Sequence, residues 1–201
     1  PVIAIEREAE HISSVNTDNY MGALQATSLL IRDKCDILIH INVNVNKSAP
    51  AYDRIWAFQA TCEEYHVPYD IDLSVKGASY HELLDVIREI FNKIESKYPD
   101  QKKGIFLAND TYANMFLNLI FQKYGTFPST YEIVGFDNSP IASEAILPIT
   151  TIGQQIDVIA KTAMDLLVQQ MEEQKKRVPK PLGEPIHKQI TPILIRRNTT
   201  E

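Results

Sequence analysis

The sequence predicts an α/β fold in which strands and helices alternate and helices cover both faces of parallel sheets. Short apolar runs recur along the chain, and several of them, such as 104–110 and 133–137, end abruptly in carboxylate or amide side chains. Between these runs lie longer segments whose apolar residues recur at helical spacing. With 201 residues, of which 44% are apolar, the chain can form one large domain or two small ones.

Each predicted strand is a short apolar or alternating run bounded by turn residues. The predicted strands are 2–5, 37–43, 69–75, 104–108, 131–136, 150–154 and 190–195. Each predicted helix has a good capping residue, such as Ser79, or a stripe of apolar residues on one face. The predicted helices are 18 or 19 to 31, 51–65, 79 to just before Pro99, 110–123, a short turn near 140–145, and 155–175.

The first predicted strand, 2–5, has no parallel partner ahead of it in the sequence. The helix that follows leads into a series of strands with its own complete set of helices. A lone strand and helix cannot bury both faces of a parallel sheet. We therefore expect the opening segment to belong to a larger domain, and the chain to be the later part of a two-lobed protein.

Polar side chains follow two of the predicted strands. Asn109 and Asp110 come after one apolar run, and Asp137 ends another. Because ligands of open α/β sheets bind outside the carboxyl ends of the strands, these side chains would face one pocket. Carboxylates accept hydrogen bonds from diols, and amides both donate and accept, so the pocket suits a hydroxyl-rich ligand. Asp110 and Asp137 could instead cap helices or serve as the acid and base of a glycosidase.

Composition and spacing argue against several other functions. The net charge of −6 provides no basic surface for nucleic acid, and the one basic cluster, 175–177, is explained as a solvated helix end. The two cysteines, which we expect to be reduced and structural, and the five histidines lack metal-ligand spacing. No glycine-rich loop is present to hold a phosphate. These features predict a protein with no metal, no cofactor and no enzymatic activity.

The sequence contains no apolar run as long as a membrane span, and no signal peptide opens it. Both features are typical of a cytoplasmic protein that has no membrane partner. A processed secreted chain would look similar.

Several longer motifs occur in a fixed order along the chain. They are Pro1-Val-Ile-Ala-Ile-Glu-Arg7, Val15-Asn-Thr-Asp-Asn-Tyr-Met-Gly22, Arg54-Ile-Trp-Ala-Phe58, Phe106-Leu-Ala-Asn-Asp110, Val134-Gly-Phe-Asp137, Leu147-Pro-Ile-Thr-Thr-Ile-Gly-Gln154 and the ending 191–199. This ordered set resembles the effector-binding core of LacI/GalR-type bacterial transcription regulators, whose fold is that of periplasmic sugar-binding proteins. The resemblance does not cover the helix-turn-helix head of that family or about the first half of its N-terminal lobe. A winged-helix head on the same core is an alternative.

The resemblance implies two Rossmann-like lobes with parallel sheets, of which the N-terminal lobe is incomplete in this chain. Residues 1–32 plus 155–176 would form the partial N-terminal lobe, and residues 33–154 plus 177–201 the C-terminal lobe. The chain would cross between the lobes near Arg32, Gln154 and Lys176. Glu6, where the family usually has Asp, and Ala57, where it has Gly, depart from the pattern.

The resemblance also implies which residues contact the effector. They are Asp18, Arg54, Asn109, Asp137 and Gln154. The guanidinium of Arg54 presents five donors and would bridge two ligand hydroxyls. Simpler roles remain open: a surface ion pair for Arg54, a helix cap for Asp18 and hinge packing for Gln154. Trp56 would either stack on a sugar face or pack half-buried against its own helix.

A homodimer is expected through the C-terminal lobe. Ala113 and Phe116 extend the apolar surface of their helix beyond a single stripe, and Ile146 and Leu147 add to it. Burial of this surface in a dimer would explain it, since closed twofold dimers are the commonest soluble oligomers. The resemblance implies dimer contacts on the same segments. The alternative is that a second layer of the lobe's own core covers them.

These features predict an effector-binding core that is not an enzyme. Its ligand would be a sugar or sugar derivative, and it would reach operator DNA only through a head that is absent here. The alternative function is a sugar-binding protein of a transport system, which shares the fold.

Overall fold

The computed structural model describes residues 1–7, 10–44, 49–77, 79–175 and 183–201. Within these ranges the chain forms nine strands and six helices. The strands are β1 Ile3–Ile5, β2 Ser13–Thr17, β3 Ile37–Val43, β4 Tyr69–Val75, β5 Lys103–Leu107, β6 Tyr131–Asp137, β7 Thr150–Gly153, β8 His187–Ile190 and β9 Ile193–Ile195. The helices are α1 Asn19–Arg32, α2 Pro50–Glu64, α3 Tyr80–Lys97, α4 Asp110–Tyr124, α5 Pro140–Glu144 and α6 Ile156–Gln174. The α/β prediction with mostly parallel sheets is confirmed.

The larger sheet has the strand order β4-β3-β5-β6-β7-β9. Its strands are parallel except for the β7–β9 pair, which is antiparallel. Side chains alternate between its faces, so Ile39 and Ile105 join the core under α3 and α4, whereas Leu38 and Phe106 join the core under α1 and α2. Burial on both faces explains why these strands read as nearly continuous apolar runs in the sequence.

The smaller sheet has the parallel order β1-β2-β8. Helix α6 packs on it, and Val15 of β2 meets Ile159, Ala163 and Leu166 of the helix. Strand β2 was not predicted, because Ser-Ser-Val-Asn-Thr offers one apolar residue in five. The predicted strand 190–195 is two strands, since Pro192 cannot donate a ladder hydrogen bond.

The packing differs from the predicted lobe boundaries in two places. Helix α1 was assigned to the N-terminal lobe with residues 1–32, yet it packs on the larger sheet through Ala23, Ala26 and Leu30. Strand β8 was assigned to the C-terminal lobe, yet it pairs with β2 of the smaller sheet. The apolar face of a helix indicates that the helix is covered, but it does not indicate which sheet covers it. The sequence pattern therefore could not assign α1 to the larger sheet. The predicted crossing near Lys176 and most of the 175–177 cluster lie outside the described residues.

Close approach fixes α1 on the larger sheet. A side chain at Gly22 would bring its first carbon to 2.8 Å from Cε2 of Phe136 and 3.1 Å from Cγ2 of Ile152. The helix can therefore approach β6 and β7 this closely only with glycine at this position. As a result, the N-terminal end of α1 lies near the carboxyl end of β6.

The dimer prediction needs correction for two of its four residues. Ala113 and Phe116 are fully buried in the core between α3, α4 and the larger sheet. They form part of the second core layer that was the alternative, so they cannot contact a partner. Leu147 is partly buried and packs against the same core, whereas Ile146 is 65% exposed. Of the predicted patch, Ile146 alone presents a largely exposed side chain.

Candidate functional site

Arg54, in the first turns of α2, lies at the centre of the candidate site. Its Nε donates to Oδ1 of Asn19 at 2.7 Å, and its Nη1 donates to the carbonyl oxygen of Ala108 at 2.5 Å. The guanidinium carbon lies 3.6 Å from the centre of the Phe136 ring, within the range of a cation–π contact. These contacts connect α1, α2 and the ends of β5 and β6. The side chain is thereby held in one orientation with part of its donor fork left for a ligand.

The charge of Arg54 is opposed by burial and favoured by its neighbours. Removal from water lowers the pKa of the guanidinium, while the carboxylates of Asp137 and Glu6 act in the opposite direction. A charged group that is partly removed from water gains more from each remaining hydrogen bond than an exposed one does. The arrangement therefore favours a ligand that offers hydroxyl or other acceptor oxygens to Arg54.

Asp137 ends β6 in a backbone conformation that is unusual for a residue other than glycine. Its φ is 102°, and the φ of the next residue, Asn138, is 54°. Such conformations cost on the order of 1–3 kcal/mol and occur often at ligand-binding sites. The pKa of Asp137 is raised to about 6, chiefly by burial; Arg54 opposes this rise, and the carboxylates of Asp110 and Glu6 contribute to it.

Gln154 lies next to Asp137, since its Nε2 donates to Oδ1 of Asp137 at 3.2 Å. The parallel β6–β7 pair matches Asp137 with Gly153, so the side chain that follows β7 reaches the end of β6. These two predicted site residues are therefore together, and Arg54 interacts electrostatically with Asp137.

Asp18 and Asn109 both act as helix caps. Oδ1 of Asp18 accepts from the N–H of Met21 at 2.9 Å, and Oδ1 of Asn109 accepts from the N–H of Tyr112 at 2.9 Å. Each cap uses one of the two polar atoms of the side chain. The capping alternative is thus correct for Asp18, whereas the cap at Asn109 was not predicted. A ligand contact through the second polar atom of each side chain remains a prediction.

Asp110 has a different role from Asp137. It is 1% exposed; its Oδ1 accepts from the hydroxyl of Thr151 at 2.6 Å, and its Oδ2 accepts from the N–H of Ser139 at 2.7 Å. Gly135 gives this carboxylate its space, because a side-chain carbon there would lie 2.3 Å from Oδ1. Asp110 therefore stabilises the loop after β6 and is buried away from the site, which disfavours the glycosidase alternative.

Two residues near Arg54 were not predicted as site residues. Oε1 of Glu6 accepts from both the N–H and the hydroxyl of Thr17, at 2.6 and 2.7 Å, and its charge acts on Arg54 and Asp137. Asn19 is 3% exposed and accepts from Arg54. Both belong to motifs of the ordered set, but nothing in their spacing distinguished them. Glu6 follows β1, so it brings a charge from the smaller sheet to the site.

His40 is a buried residue of β3, and its contacts stabilise the carboxyl end of that strand. Its buried ring stacks on Phe106 with centres 4.6 Å apart, and burial lowers its pKa to about 3. The neutral ring can donate from Nδ1 to the carbonyl of Phe106 at 2.9 Å and accept at Nε2 from the amide of Asn42 at 3.1 Å. The side chain of Asn42 in turn accepts from the N–H of Val43. This relay fixes the carboxyl end of β3 beside α2.

The described residues offer little support for metal, thiol or membrane chemistry. They contain no group of three or more His, Cys, Asp or Glu side chains placed to hold a metal ion. Burial raises the pKa of Cys35 and Cys62 to about 12, and both are free thiols. Trp56 is largely exposed and contacts Tyr20, with ring centres 5.0 Å apart. In the same ranges, no helix has the length and apolar character needed to cross a bilayer.

Comparison with curated proteins gives relatives at low identity. The ribose operon repressor of Halalkalibacterium halodurans is 27% identical over 200 residues, and the sucrose operon repressor of Streptococcus mutans is 27% identical over 178 residues. These alignments cover 99% and 87% of this chain, which spans only 56% and 52% of the two relatives.

Among solved structures, a periplasmic binding protein/LacI transcriptional regulator from Alkaliphilus metalliredigens, complexed with D-xylulofuranose, matches with a TM-score of 0.78 and 24% identity. That alignment covers all of this chain and 71% of the other. A family model described as the periplasmic binding protein-like domain matches residues 29–200. Because this match spans most of the sequence, the chain belongs to the family of periplasmic binding protein-like domains.

Proposed function

We propose that the chain is the effector-binding core of a LacI/GalR-type transcription regulator and that its effector is a sugar or sugar derivative. The observation that carries this proposal is the position of Arg54. It is held by Asn19 and Ala108 on the larger-sheet side and faces the charges of Asp137 and Glu6. Because Glu6 comes from the smaller sheet, a polyol bound here would contact both parts of the molecule.

The relatives support the regulator rather than the transport alternative. The two curated relatives named above are repressors of the ribose and sucrose operons. The solved structure, a periplasmic binding protein/LacI transcriptional regulator, is complexed with D-xylulofuranose. The donor and acceptor groups of the site agree with such a ligand. The fork of Arg54 supplies donors, Asp137 supplies acceptors, and the amides of Asn109 and Gln154 supply both.

In this proposal, effector binding changes the balance between open and closed arrangements of the two sheets. The chain passes between the sheets near 18, between Gly153 and Ile156, and between Ile190 and Ile193. A ligand that contacts Glu6 and Arg54 together favours the closed arrangement by its difference in affinity for the two states. A DNA-binding segment outside this chain would change its position in response. The proposal places the protein in the cytoplasm as a homodimer. No catalytic step is part of the proposal.

The proposal is tested by calorimetric titration of the chain with a panel of pentoses, hexoses and disaccharides. Arg54→Ala is expected to weaken binding of the sugar that binds roughly tenfold to hundredfold, since a hydrogen bond to a charged group contributes about 1.5–3 kcal/mol. Arg88→Ala is the matched control, because Arg88 pairs with Asp85 on the exposed face of α3. Equal affinity of wild type and Arg54→Ala would contradict the proposed site.

A further inference from the structure

The side-chain amide of Asn19 lies between the guanidinium of Arg54 and the end of strand β2. Its Oδ1 accepts from Nε of Arg54 at 2.7 Å, and its Nδ2 donates to the carbonyl oxygen of Thr17 at 3.1 Å. These two neighbours fix the amide in one orientation, because Nε of arginine can only donate and a carbonyl oxygen can only accept. Asn19 is 3% exposed, so water competes little for either hydrogen bond.

Thr17 is held on its other side by the carboxylate of Glu6. Oε1 of Glu6 accepts from the N–H of Thr17 at 2.6 Å and from its hydroxyl at 2.7 Å. Hydrogen bonds to a carboxylate are roughly twice as strong as those between neutral groups. Thr17 is buried, so these bonds determine where its side chain and backbone lie. The series of contacts that starts at Arg54 therefore continues to Glu6.

The backbone of Glu6 is shaped to make these contacts. Its φ is 53°, in the left-handed region that residues other than glycine rarely adopt. Such a conformation persists only where the surrounding structure holds it. Here the N–H of Glu6 donates to the carbonyl of Val15 at 3.2 Å, directly after the pairing of Ile5 with Val15. The carboxylate is thus fixed relative to both β1 and β2.

These hydrogen bonds span the connection between the two sheets. Glu6 follows β1 and Thr17 ends β2, both in the smaller sheet. Asn19 begins α1, which packs on the larger sheet, and Arg54 lies on α2 of the same core. A rotation of the smaller sheet about this connection would move Thr17 relative to Arg54. Asn19 is a side chain that contacts both of them, so it would transmit such a movement.

We propose that Asn19 is a positioning residue for effector binding and that Thr17 and Glu6 act on Arg54 through it. The proposal rests on the proposed function, since Arg54 must contact the effector. The bonds to Asn19 and Ala108 use two of the five guanidinium donors and aim the others. A side chain that is already held loses less freedom when a ligand binds, so the fixed orientation of Arg54 raises affinity. The arrangement of the smaller sheet thereby controls the affinity of the site.

The orientation of Arg54 is measured without a ligand, from the NMR signal of its Nε–H group in the full chain. Arg54→Ala assigns the signal, and exchange of the proton with water is then measured. We expect exchange roughly tenfold or more slower than at the exposed Arg88, because a hydrogen bond from a charged group protects the proton of Arg54. Asn19→Leu, which removes both bonds at similar size, should abolish this protection. Asn19→Asp, which keeps an acceptor for Nε, should retain it.

The connection to Glu6 is tested by Thr17→Val, which removes the hydroxyl and keeps the shape of the side chain. It should speed exchange of the Arg54 Nε–H proton roughly threefold, the effect of one ordinary hydrogen bond. Thr61→Val is the matched control, because Thr61 is equally buried and its hydroxyl donates to Ala57 within α2. This control should leave exchange unchanged. Equal exchange in the two variants would overturn the connection to Glu6.

Calorimetric titration with D-ribose, D-xylose, D-glucose and sucrose measures the effect on binding. For a sugar that binds, Asn19→Leu should weaken affinity roughly fivefold to tenfold, because Arg54 must then be immobilised by the ligand. Asn19→Asp should restore affinity to within about twofold of wild type. A merely structural role of Asn19 would not give this rescue, since Asn19→Asp also loses the bond to Thr17. Urea unfolding of each variant establishes that it is folded during the titration.

The outcomes separate this inference from the proposed function. If Arg54→Ala weakens sugar binding while Asn19→Leu changes neither affinity nor Nε–H exchange, the inference is overturned and the proposed function stands. If none of these sugars binds, the proposed sugar effector is wrong, and exchange alone decides on the role of Asn19: protection that persists in Asn19→Leu overturns it. If Asn19→Leu does not fold, the comparison of Thr17→Val with Thr61→Val decides in the same way.

Discussion

Replacing Asp110 by Ala is expected to destabilise the protein, whereas replacing Asp137 by Asn is expected to preserve the fold and weaken effector binding. Loss of the Asp110 carboxylate removes the acceptor for the buried hydroxyl of Thr151 and for the N–H of Ser139. A buried donor without an acceptor costs about 1–3 kcal/mol, which applies to the hydroxyl of Thr151; the N–H of Ser139 is only partly buried and adds less. Asp137 accepts one side-chain hydrogen bond, from Gln154, and is partly exposed. Asn is among the residues that best tolerate a positive φ, so Asp137→Asn should change stability by less than about 1 kcal/mol.

Urea unfolding followed by circular dichroism at one fixed pH measures both effects. The two variants are compared with wild type at equal slope, so that a shift in midpoint reports a change in the free energy of unfolding. The reasoning would be refuted if Asp110→Ala unfolded within 1 kcal/mol of wild type, or if Asp137→Asn lost as much stability as Asp110→Ala. Calorimetric titration of Asp137→Asn with the sugar that binds completes the comparison.

Three further predictions concern stability and assembly. Burial raises the pKa of Glu132 above its usual 4.5, although Lys102, 2.7 Å away, opposes the rise. Stability should therefore fall as pH rises above about 4.5, where the unfolded chain releases this proton and the folded chain retains it. Glu132→Gln should flatten that part of a melting-temperature profile, and an unchanged slope would count against it. Gly22→Ala should cost about 1–3 kcal/mol through contact with Phe136, whereas Gly183→Ala, which meets nothing within 4 Å, should cost little in the same urea titration. Ile146→Asp should convert a dimer to folded monomers in analytical ultracentrifugation; a wild-type chain that sediments as a monomer removes Ile146 from any interface.

The sequence predicted the larger sheet well because its strands are buried on both faces. Runs such as 37–43 and 131–136 are mostly apolar and almost entirely buried, and that pattern arises from helices on either side. Strand β2 lacks the pattern because four of its five residues are polar, and some of them bond to distant parts of the chain, as Ser14 does to His187 at 2.8 Å. The assignment of α1 failed because an apolar face does not reveal which sheet covers it.

The effector-binding role of the predicted residues stays a prediction, but the structure brings three of them close together. Asp137 and Gln154 lie together, and Arg54 faces Asp137. The sequence did not predict Asn19 or Glu6, because their roles depend on the approach of α1 and β1 to α2. It also could not show that Phe116 is buried, since the number of layers over a helix is a tertiary property.

The most direct test of the account is a crystal structure of the chain with the sugar that binds most tightly in calorimetry. The account predicts ligand hydroxyls within hydrogen-bond distance of the Arg54 guanidinium and the Asp137 carboxylate, with a contact to Glu6 from the smaller sheet. A ligand bound elsewhere, with Arg54 still bonded only to Asn19 and Ala108, would contradict it.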